Sequence, residues 1–205
     1  MPGDAREGLV VRVMSKKITK TVELVSLRLT AKKAEALSYV YKVYGEMVKE
    51  AVNVMYQKGT TSWLRGIKEL YRYFRAKYPD LPSQYVVEAI RDAAARLESF
   101  RKLKKKGLAY TEKPEVKQWT VSCHRDLWKL SFLGVEISTH AGWIRIPLLF
   151  HKQFYIHYNG GWVLRSTARW KLEGRRLKLY VFFPDFLPAL KGEGSPHRFG
   201  TTSLI

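Results

Sequence analysis

Residues 162–183 read WVLRSTARWKLEGRRLKLYVFF, and this stretch decides the fold class. Two runs rich in β-branched and aromatic residues flank Glu173-Gly174, a pairing typical of a tight turn between antiparallel strands. Apolar and polar residues alternate along the second run, so one of its faces is expected to be buried. The pattern predicts a β-hairpin built from residues 162–170 and 177–183.

Short runs of the same kind precede the hairpin and extend the predicted sheet. They lie at residues 118–123, 135–138, 143–147 and 154–157, with a turn expected at Asn159-Gly160-Gly161. Near the start of the chain, residues 17–29 also alternate apolar and polar, with a slip near Val25 that indicates a bulge. We expect an antiparallel sheet or small barrel, which the N-terminal strand rejoins.

Between that first strand and the others, apolar residues recur every three or four positions, as they do in helices. The spacing predicts helices over residues 31–57, 63–77 and 84–105. Thr30 and Ser83 are the expected N-caps of the first and third helices; Gly59 and Gly107 are expected ends, and Pro79 and Pro82 break the second helix. Because the connecting loops are short, the three helices are expected to form a small bundle.

These elements together predict an α+β fold, an antiparallel β-barrel or sheet with an inserted three-helix bundle. The expected boundaries are 1–29 for the N-terminal segment and first strand, 30–110 for the helical part, and 111–183 for the β part. Residues 184–205 are rich in Gly, Pro and Ser and are expected to be a poorly ordered tail.

Composition narrows the class of protein. The 205 residues are 46% hydrophobic, which is enough to build a core. The start of the chain is unlike a secretory signal, and no apolar run approaches the roughly 18 residues of a membrane span. The single cysteine, Cys123, excludes a disulfide within the chain and cysteine-rich zinc sites. We expect a cytoplasmic protein that does not engage a membrane.

Charge is the strongest signal. The chain carries 37 Lys and Arg against 18 Asp and Glu, a net charge of +19. Residues 31–98 hold a net of only +4, whereas residues 99–130 and 151–182 hold +6 each. An excess of this size favours an anionic polymer as partner, although a generally basic surface is the alternative interpretation.

The candidate nucleic-acid-binding residues are basic side chains in these two regions. They are Arg101, Lys102, Lys104, Lys105, Lys106, Lys113, Lys117, Arg125, Arg145, Arg165, Arg169, Lys171, Arg175 and Arg176. Lysines at the end of a helix also stabilise its dipole, which is the alternative explanation for the run 101–107. With Lys113 and Lys117 nearby, the density of basic residues exceeds what capping needs and favours phosphate contact. Interleaved aromatics such as Trp119, Trp128, Trp143, Trp162 and Trp170 could stack bases on an open sheet, but the core is the better expectation for each one.

We find no sequence pattern that indicates catalysis, a metal site or a cofactor. Acids in the predicted sheet are scattered, and the helical pairs Glu46/Glu50 and Glu88/Asp92 are expected on solvated faces. Cys123 and His124 are adjacent, so in a strand their side chains point to opposite faces. No phosphate-binding loop is present, because Gly160 and Gly161 belong to an expected hairpin turn.

The order of several motifs resembles the N-terminal half of the TnpB/OrfB proteins of insertion sequences, relatives of type V CRISPR nucleases. These motifs are KTVELVSLRLT (20–30), AKKAEALSYVYKVY (31–44), LPSQYVVEAIRDAAARLESFRKL (81–103), EKPEVK (112–117), TVSCHRDLWKL (120–130), IRIPL (144–148) and GGWVLRSTARWKLEGRRLKLYVFF (160–183). The resemblance implies a wedge-like barrel, an inserted recognition lobe, and binding of a guide RNA and DNA.

The sequence also departs from that family. After Phe183 the chain reads PDFLPALKGEGSPHRFGTTSLI, and Asp185 lacks the flanking glycines of the family's nuclease motif. We therefore expect a truncated, nuclease-dead copy that retains binding to structured guide-type RNA and to DNA and needs no cofactor. The alternatives are a stand-alone helix-turn-helix DNA-binding regulator, a structural RNA-binding protein, a non-functional remnant, and an enzyme with an unrecognised site. The oligomeric state stays open.

Overall fold

The computed structural model describes residues 18–184. Its helices are α1 (Ala31–Gln57), α2 (Trp63–Lys77), α3 (Ser83–Lys105) and α4 (Lys152–Asn159). Its strands are β1 (Thr19–Ser26), β2 (Val121–Cys123), β3 (Trp128–Ser131), β4 (Gly134–Thr139), β5 (Gly142–Ile146), β6 (Leu148–Leu149), β7 (Ala168–Glu173) and β8 (Arg176–Pro184). The predicted tail starts at Pro184, which is instead the last residue of β8. The rest of that tail, with Asp185, lies outside the described residues, as do residues 1–17.

The strands form two antiparallel sheets, so the α+β class is confirmed. The larger sheet has the order β2-β7-β8-β1-β6, and the smaller has the order β3-β4-β5. The predicted hairpin is the β7–β8 pair of the larger sheet, in which Glu173 faces Arg176 across the turn. Only Pro147 separates β5 from β6, and its carbonyl accepts a hydrogen bond from the amide of Leu27 at 3.2 Å.

The first strand rejoins the sheet as predicted, although the whole helical part intervenes in sequence. β1 lies between β8 and β6, with Val22 opposite Val181 and Leu24 opposite Leu179. All four side chains are buried. Alternation of apolar residues in both strands explains the register, because a slip of one residue would expose them.

The helices α1 and α2 have the predicted bounds. The Thr30 hydroxyl caps α1 by accepting a hydrogen bond from the Lys33 amide at 3.4 Å. Ser83 is the first residue of α3 rather than its N-cap, and its side chain makes no capping bond. Pro82 occupies the cap position instead, because its fixed φ suits the entry to a helix and the position needs no amide donor.

One core joins the helices to the larger sheet. Fully buried residues of α1 and α3, such as Tyr44 and Tyr85, lie in the same cluster as Trp170 of β7. The Tyr85 hydroxyl donates to the carbonyl of Ser138 in β4 at 2.8 Å, so α3 also contacts the smaller sheet. The helical part is therefore packed on the β part through α3.

The predicted strand at residues 154–157 is wrong, because this segment belongs to α4. Its aromatic composition is typical of a strand, but the buried positions Phe154 and His157 are three residues apart, as on one face of a helix. Phe154 packs against Phe183 of β8, with ring centroids 6.0 Å apart. The turn expected at 159–161 is instead the end of this helix, where the Gly160 amide donates to the Ile156 carbonyl.

Two further strand predictions need correction. The predicted strand 162–170 is shorter than expected, since β7 begins at Ala168. Before it, the Arg165 amide donates to the Phe182 carbonyl of β8 at 2.9 Å. The strands β3 and β6 were missed, because they have only four and two residues. Within residues 18–184 no helix has both the length and the apolar character needed to cross a membrane.

Candidate functional site

The end of α3 carries a cluster of exposed lysines. Lys104 and Lys105 occupy the last turn, Lys106 is the C-cap residue, and Gly107 follows with a φ of 69°. Over residues 18–184, none of these three lysines forms an ion pair, whereas Lys102 pairs with Glu98 at 2.7 Å. Three ammonium groups therefore remain available to an external anion.

The chain after α3 continues this basic surface. We call residues 101–117 the basic segment; they hold seven basic and two acidic residues. Lys113 is exposed, and Lys117 pairs with Glu115 at 3.4 Å, where both side chains are exposed and the pair contributes only about 0–1 kcal/mol. The Tyr56 hydroxyl donates to the Glu112 carbonyl at 3.1 Å and attaches the segment to α1.

Arg101 has a structural role that the sequence did not indicate. Its guanidinium donates to the Gly59 carbonyl and to the Thr61 hydroxyl. These contacts attach α3 to the loop between α1 and α2. Arg101 is consequently a weaker candidate for phosphate contact than the lysines that follow it.

Lys171, a candidate on β7, is neutralised by an ion pair within the protein. Lys171 pairs with Glu173 at 2.5 Å, and Lys178 pairs with Glu173 at 2.8 Å and with Glu23 at 3.5 Å. Hydrogen bonds from Lys171 and then Lys178 lower the pKa of Glu173, and the bond to Glu173 raises the pKa of Lys171. Lys171 therefore belongs to an internal network across the sheet face.

Three other candidates also have partners inside the protein. Arg145 forms an ion pair with Glu136 at 2.7 Å across β4 and β5. The Arg175 Nε donates to the Leu29 carbonyl at 3.1 Å, which attaches the hairpin turn to the connection between β1 and α1. Nη2 of Arg169 lies 3.8 Å from Oδ1 of Asp92.

The last three candidates are exposed and lie on different elements. Arg125 follows β2, Arg165 precedes β7, and Arg176 begins β8. None of them forms an ion pair within the part of the chain that the structure describes. They add to the positive charge of the surface.

Most of the tryptophans in the β part belong to the core. Trp128 and Trp170 are buried, and their indole N–H groups donate to the Ser166 carbonyl and the Cys123 sulfur. Trp119 stacks on Tyr41 with ring centroids 5.3 Å apart. Trp162 is half-buried, whereas Trp143 is 47% exposed, with the Lys129 ammonium 4.6 Å from its ring. These tryptophans therefore do not form an open sheet surface on which bases could stack.

The burial of Glu88 and Asp92 contradicts the expectation of a solvated face. These side chains are 5% and 6% exposed. Glu88 accepts hydrogen bonds from the Ser122 hydroxyl at 3.2 Å and from Arg91 at 3.0 Å. The neighbouring residues Ala89 and Ala93 are also fully buried, so this face of α3 points into the core. Buried carboxylates need such partners, since an unpaired buried charge is costly.

A groove of about 890 Å³ lies between α3, residues 108–117 and β7. Asp92 lies in its wall with Arg96 and Arg169, both of which are partly exposed. Phe100 and Tyr110 also line the groove, and Tyr110 is fully exposed. The groove therefore combines guanidinium groups with aromatic rings beside the basic segment.

Cys123 is the one thiol of the chain, and it is fully buried. Burial raises the pKa of this thiol to about 12, although the hydrogen bond from Trp170 opposes the shift. Over the described residues, no group of three or more His, Cys, Asp and Glu side chains is arranged to hold a metal ion.

Comparison with known proteins relates the chain to an uncharacterized family and to an uncharacterized archaeal protein. Residues 40–138 match the uncharacterized protein MJ0013 family, and this range includes the basic segment. The uncharacterized protein MJ0857 of Methanocaldococcus jannaschii is 30% identical over 186 residues. That alignment covers 82% of this chain and 68% of the relative.

Proposed function

The chain belongs to the uncharacterized protein MJ0013 family, and from its own surface chemistry we propose that it binds nucleic acid without cleaving it. The observation that carries the proposal is the group Lys104, Lys105 and Lys106, exposed and without an ion pair among residues 18–184. Phosphate groups at regular spacing are the partner that such a cluster suits.

Helix capping alone does not account for this cluster. A helix dipole is equivalent to about half an elementary charge at its C-terminus, so a single lysine there is sufficient. The basic segment instead holds seven basic residues, and the chain as a whole carries +19. Mutual repulsion between these charges is relieved when a polyanion binds, which supports a nucleic acid over a small acidic ligand.

The resemblance to TnpB/OrfB proteins supports a more specific form of this proposal. In that form, the two sheets joined at Pro147 are a wedge-like barrel, and α1–α3 are the inserted three-helix lobe. The protein then grips a structured, guide-type RNA in the cytoplasm and contacts DNA. Glu88 and Asp92 hold Ser122 and arginines in place in this assignment, and they take no part in hydrolysis.

The test is a salt titration of binding to structured RNA, duplex DNA and single strands. The triple variant Lys104→Gln/Lys105→Gln/Lys106→Gln removes three phosphate contacts. We expect the negative slope of log K against log salt to become shallower, by about 2.7 for duplex DNA and about 2.1 for a single strand. The matched control Lys32→Gln/Lys42→Gln/Lys68→Gln removes the same charge from exposed positions of α1 and α2.

A smaller change in slope is expected for the control variant, because its lysines lie outside the basic segment. Equal losses for the two variants would mean that net charge, and not this segment, determines binding. If the wild-type protein binds none of the nucleic acids at low salt, the proposed function is wrong. Incubation of labelled RNA and DNA with Mg²⁺ is expected to give no cleavage products, and specific cleavage would overturn the non-catalytic assignment.

A further inference from the structure

We propose that the groove between α3, residues 108–117 and β7 holds one unpaired nucleotide of a bound single strand. This inference rests on the proposed nucleic-acid binding and deepens it, since it assigns a base-binding site beside the basic segment. Three features of the groove suit a nucleotide: its guanidinium pair, its aromatic rings and its size.

The guanidinium pair is held in place by a buried acid. Nε and Nη2 of Arg96 both lie 3.3 Å from Oδ2 of Asp92, and Nη2 of Arg169 lies 3.8 Å from Oδ1. One carboxylate thus faces two guanidinium groups, which leaves one positive charge in excess. The side chains of Arg96 and Arg169 are 29% and 42% exposed, so N–H donors remain free for a phosphate in the groove.

The aromatic rings supply a stacking surface for a base. Phe100 packs edge-on against Tyr56 at 6.2 Å, so its ring is fixed in the groove wall. Tyr110 is 100% exposed, an unusual position for a tyrosine that has no role outside the fold. Stacking on such rings tolerates any base, because every base has a π face.

The size of the groove distinguishes single strands from duplexes. Its volume of about 890 Å³ is within the range of pockets that enclose ligands as large as a nucleotide. The bases of a duplex are stacked on each other and cannot enter such a groove. A single strand can place one base inside while its flanking phosphates reach Lys117 at the rim.

The experiment compares a 20-nucleotide oligouridine with an RNA duplex of the same length, by fluorescence anisotropy. Tyr110→Ala is expected to weaken oligouridine binding at least ~5-fold and to leave duplex binding unchanged. Arg169→Met is also expected to weaken oligouridine binding, and Arg169→Lys is expected to restore part of the lost affinity. The matched control Phe132→Ala removes another exposed aromatic ring, outside the groove, and is expected to change neither affinity.

Photocrosslinking gives a second, independent measurement. An oligouridine that carries 4-thiouridine is expected to crosslink to the tryptic peptide GLAYTEKPEVK, residues 107–117, which contains Tyr110. Crosslinks confined to other peptides would overturn the groove assignment. So would single-strand affinity that Tyr110→Ala leaves unchanged.

The outcomes separate this inference from the proposed function. If the wild-type protein binds both nucleic acids and Tyr110→Ala has no effect, only the groove assignment fails. If the wild-type protein binds neither, the proposed function itself fails. Because Tyr110 is fully exposed, the variant is expected to fold normally, which a thermal unfolding curve can check.

Discussion

Replacement of Gly45 by alanine tests whether Trp119 belongs to the core rather than to a binding surface. Gly45 lies in α1, where alanine is ordinarily the better residue. A Cβ at this position, however, would lie 2.2 Å from Cε2 and 2.6 Å from Nε1 of Trp119. Contacts this short force the indole ring to move.

The expected change in the free energy of unfolding follows from the contacts that Trp119 loses when its ring moves. Alanine in place of glycine favours the helix by about 1 kcal/mol. Against this gain, overpacking costs about 1–3 kcal/mol, and the hydrogen bond from Trp119 Nε1 to the Tyr41 carbonyl, 3.0 Å long, contributes about 1 kcal/mol. The stacking of Trp119 on Tyr41 contributes about 0.5–1.5 kcal/mol more. We expect Gly45→Ala to lower the free energy of unfolding by about 3 kcal/mol, with these terms bounding the loss at about 1.5–4.5 kcal/mol.

Urea unfolding, followed by circular dichroism, measures this change as a shift in midpoint at constant m value. The control is the same substitution in a Trp119→Leu background, where the smaller side chain leaves room for a Cβ. There the helix preference dominates, and Gly45→Ala is expected to stabilise the protein by up to about 1 kcal/mol. Equal destabilisation in both backgrounds, or stabilisation in the wild type, would refute the packing of Trp119 on Gly45.

Two further predictions concern buried side chains. His157 is buried against Trp162 and Phe183, and its Nδ1 has no hydrogen-bond partner within residues 18–184. His157→Phe is therefore expected to raise the free energy of unfolding by about 1 kcal/mol, as measured by urea titration. A loss of stability would indicate that Nδ1 has a polar partner that phenylalanine cannot replace. Burial raises the pKa of the Cys123 thiol from 9.0 to about 12, so at pH 8 its thiolate population is lower by roughly a thousandfold than in the unfolded chain. Alkylation by iodoacetamide should therefore be rapid in denaturant and very slow in the native protein, and rapid native labelling would contradict this burial.

Some features of the candidate site could be predicted from the sequence, and others could not. The lysines at the end of α3 follow from a charge run next to a helix terminator, both of which are local signals. The contact between Glu173 and the lysines of the hairpin is also local, since the turn sets which residues face each other. In contrast, Arg169 and Asp92 lie 77 positions apart in the chain, and no periodicity brings them together.

The α4 segment shows the same limit for secondary structure. Its short, aromatic sequence satisfies either a strand or a helix, and local preference cannot choose between them. Contacts of Phe154 and His157 with Phe183 favour the helix in the folded chain. Burial of Glu88 likewise depends on the hydroxyl of Ser122, which only the packed β2 strand supplies.

The sequence by itself determined the α+β class, the bounds of α1 and α2, the β7–β8 hairpin and the position of the basic segment, because each depends on residues close together in the chain. Only the tertiary structure decided which basic side chains are neutralised, which aromatics are buried, and where the groove lies. These properties depend on contacts between distant residues, and their free energies are settled only when the helices pack against the sheet.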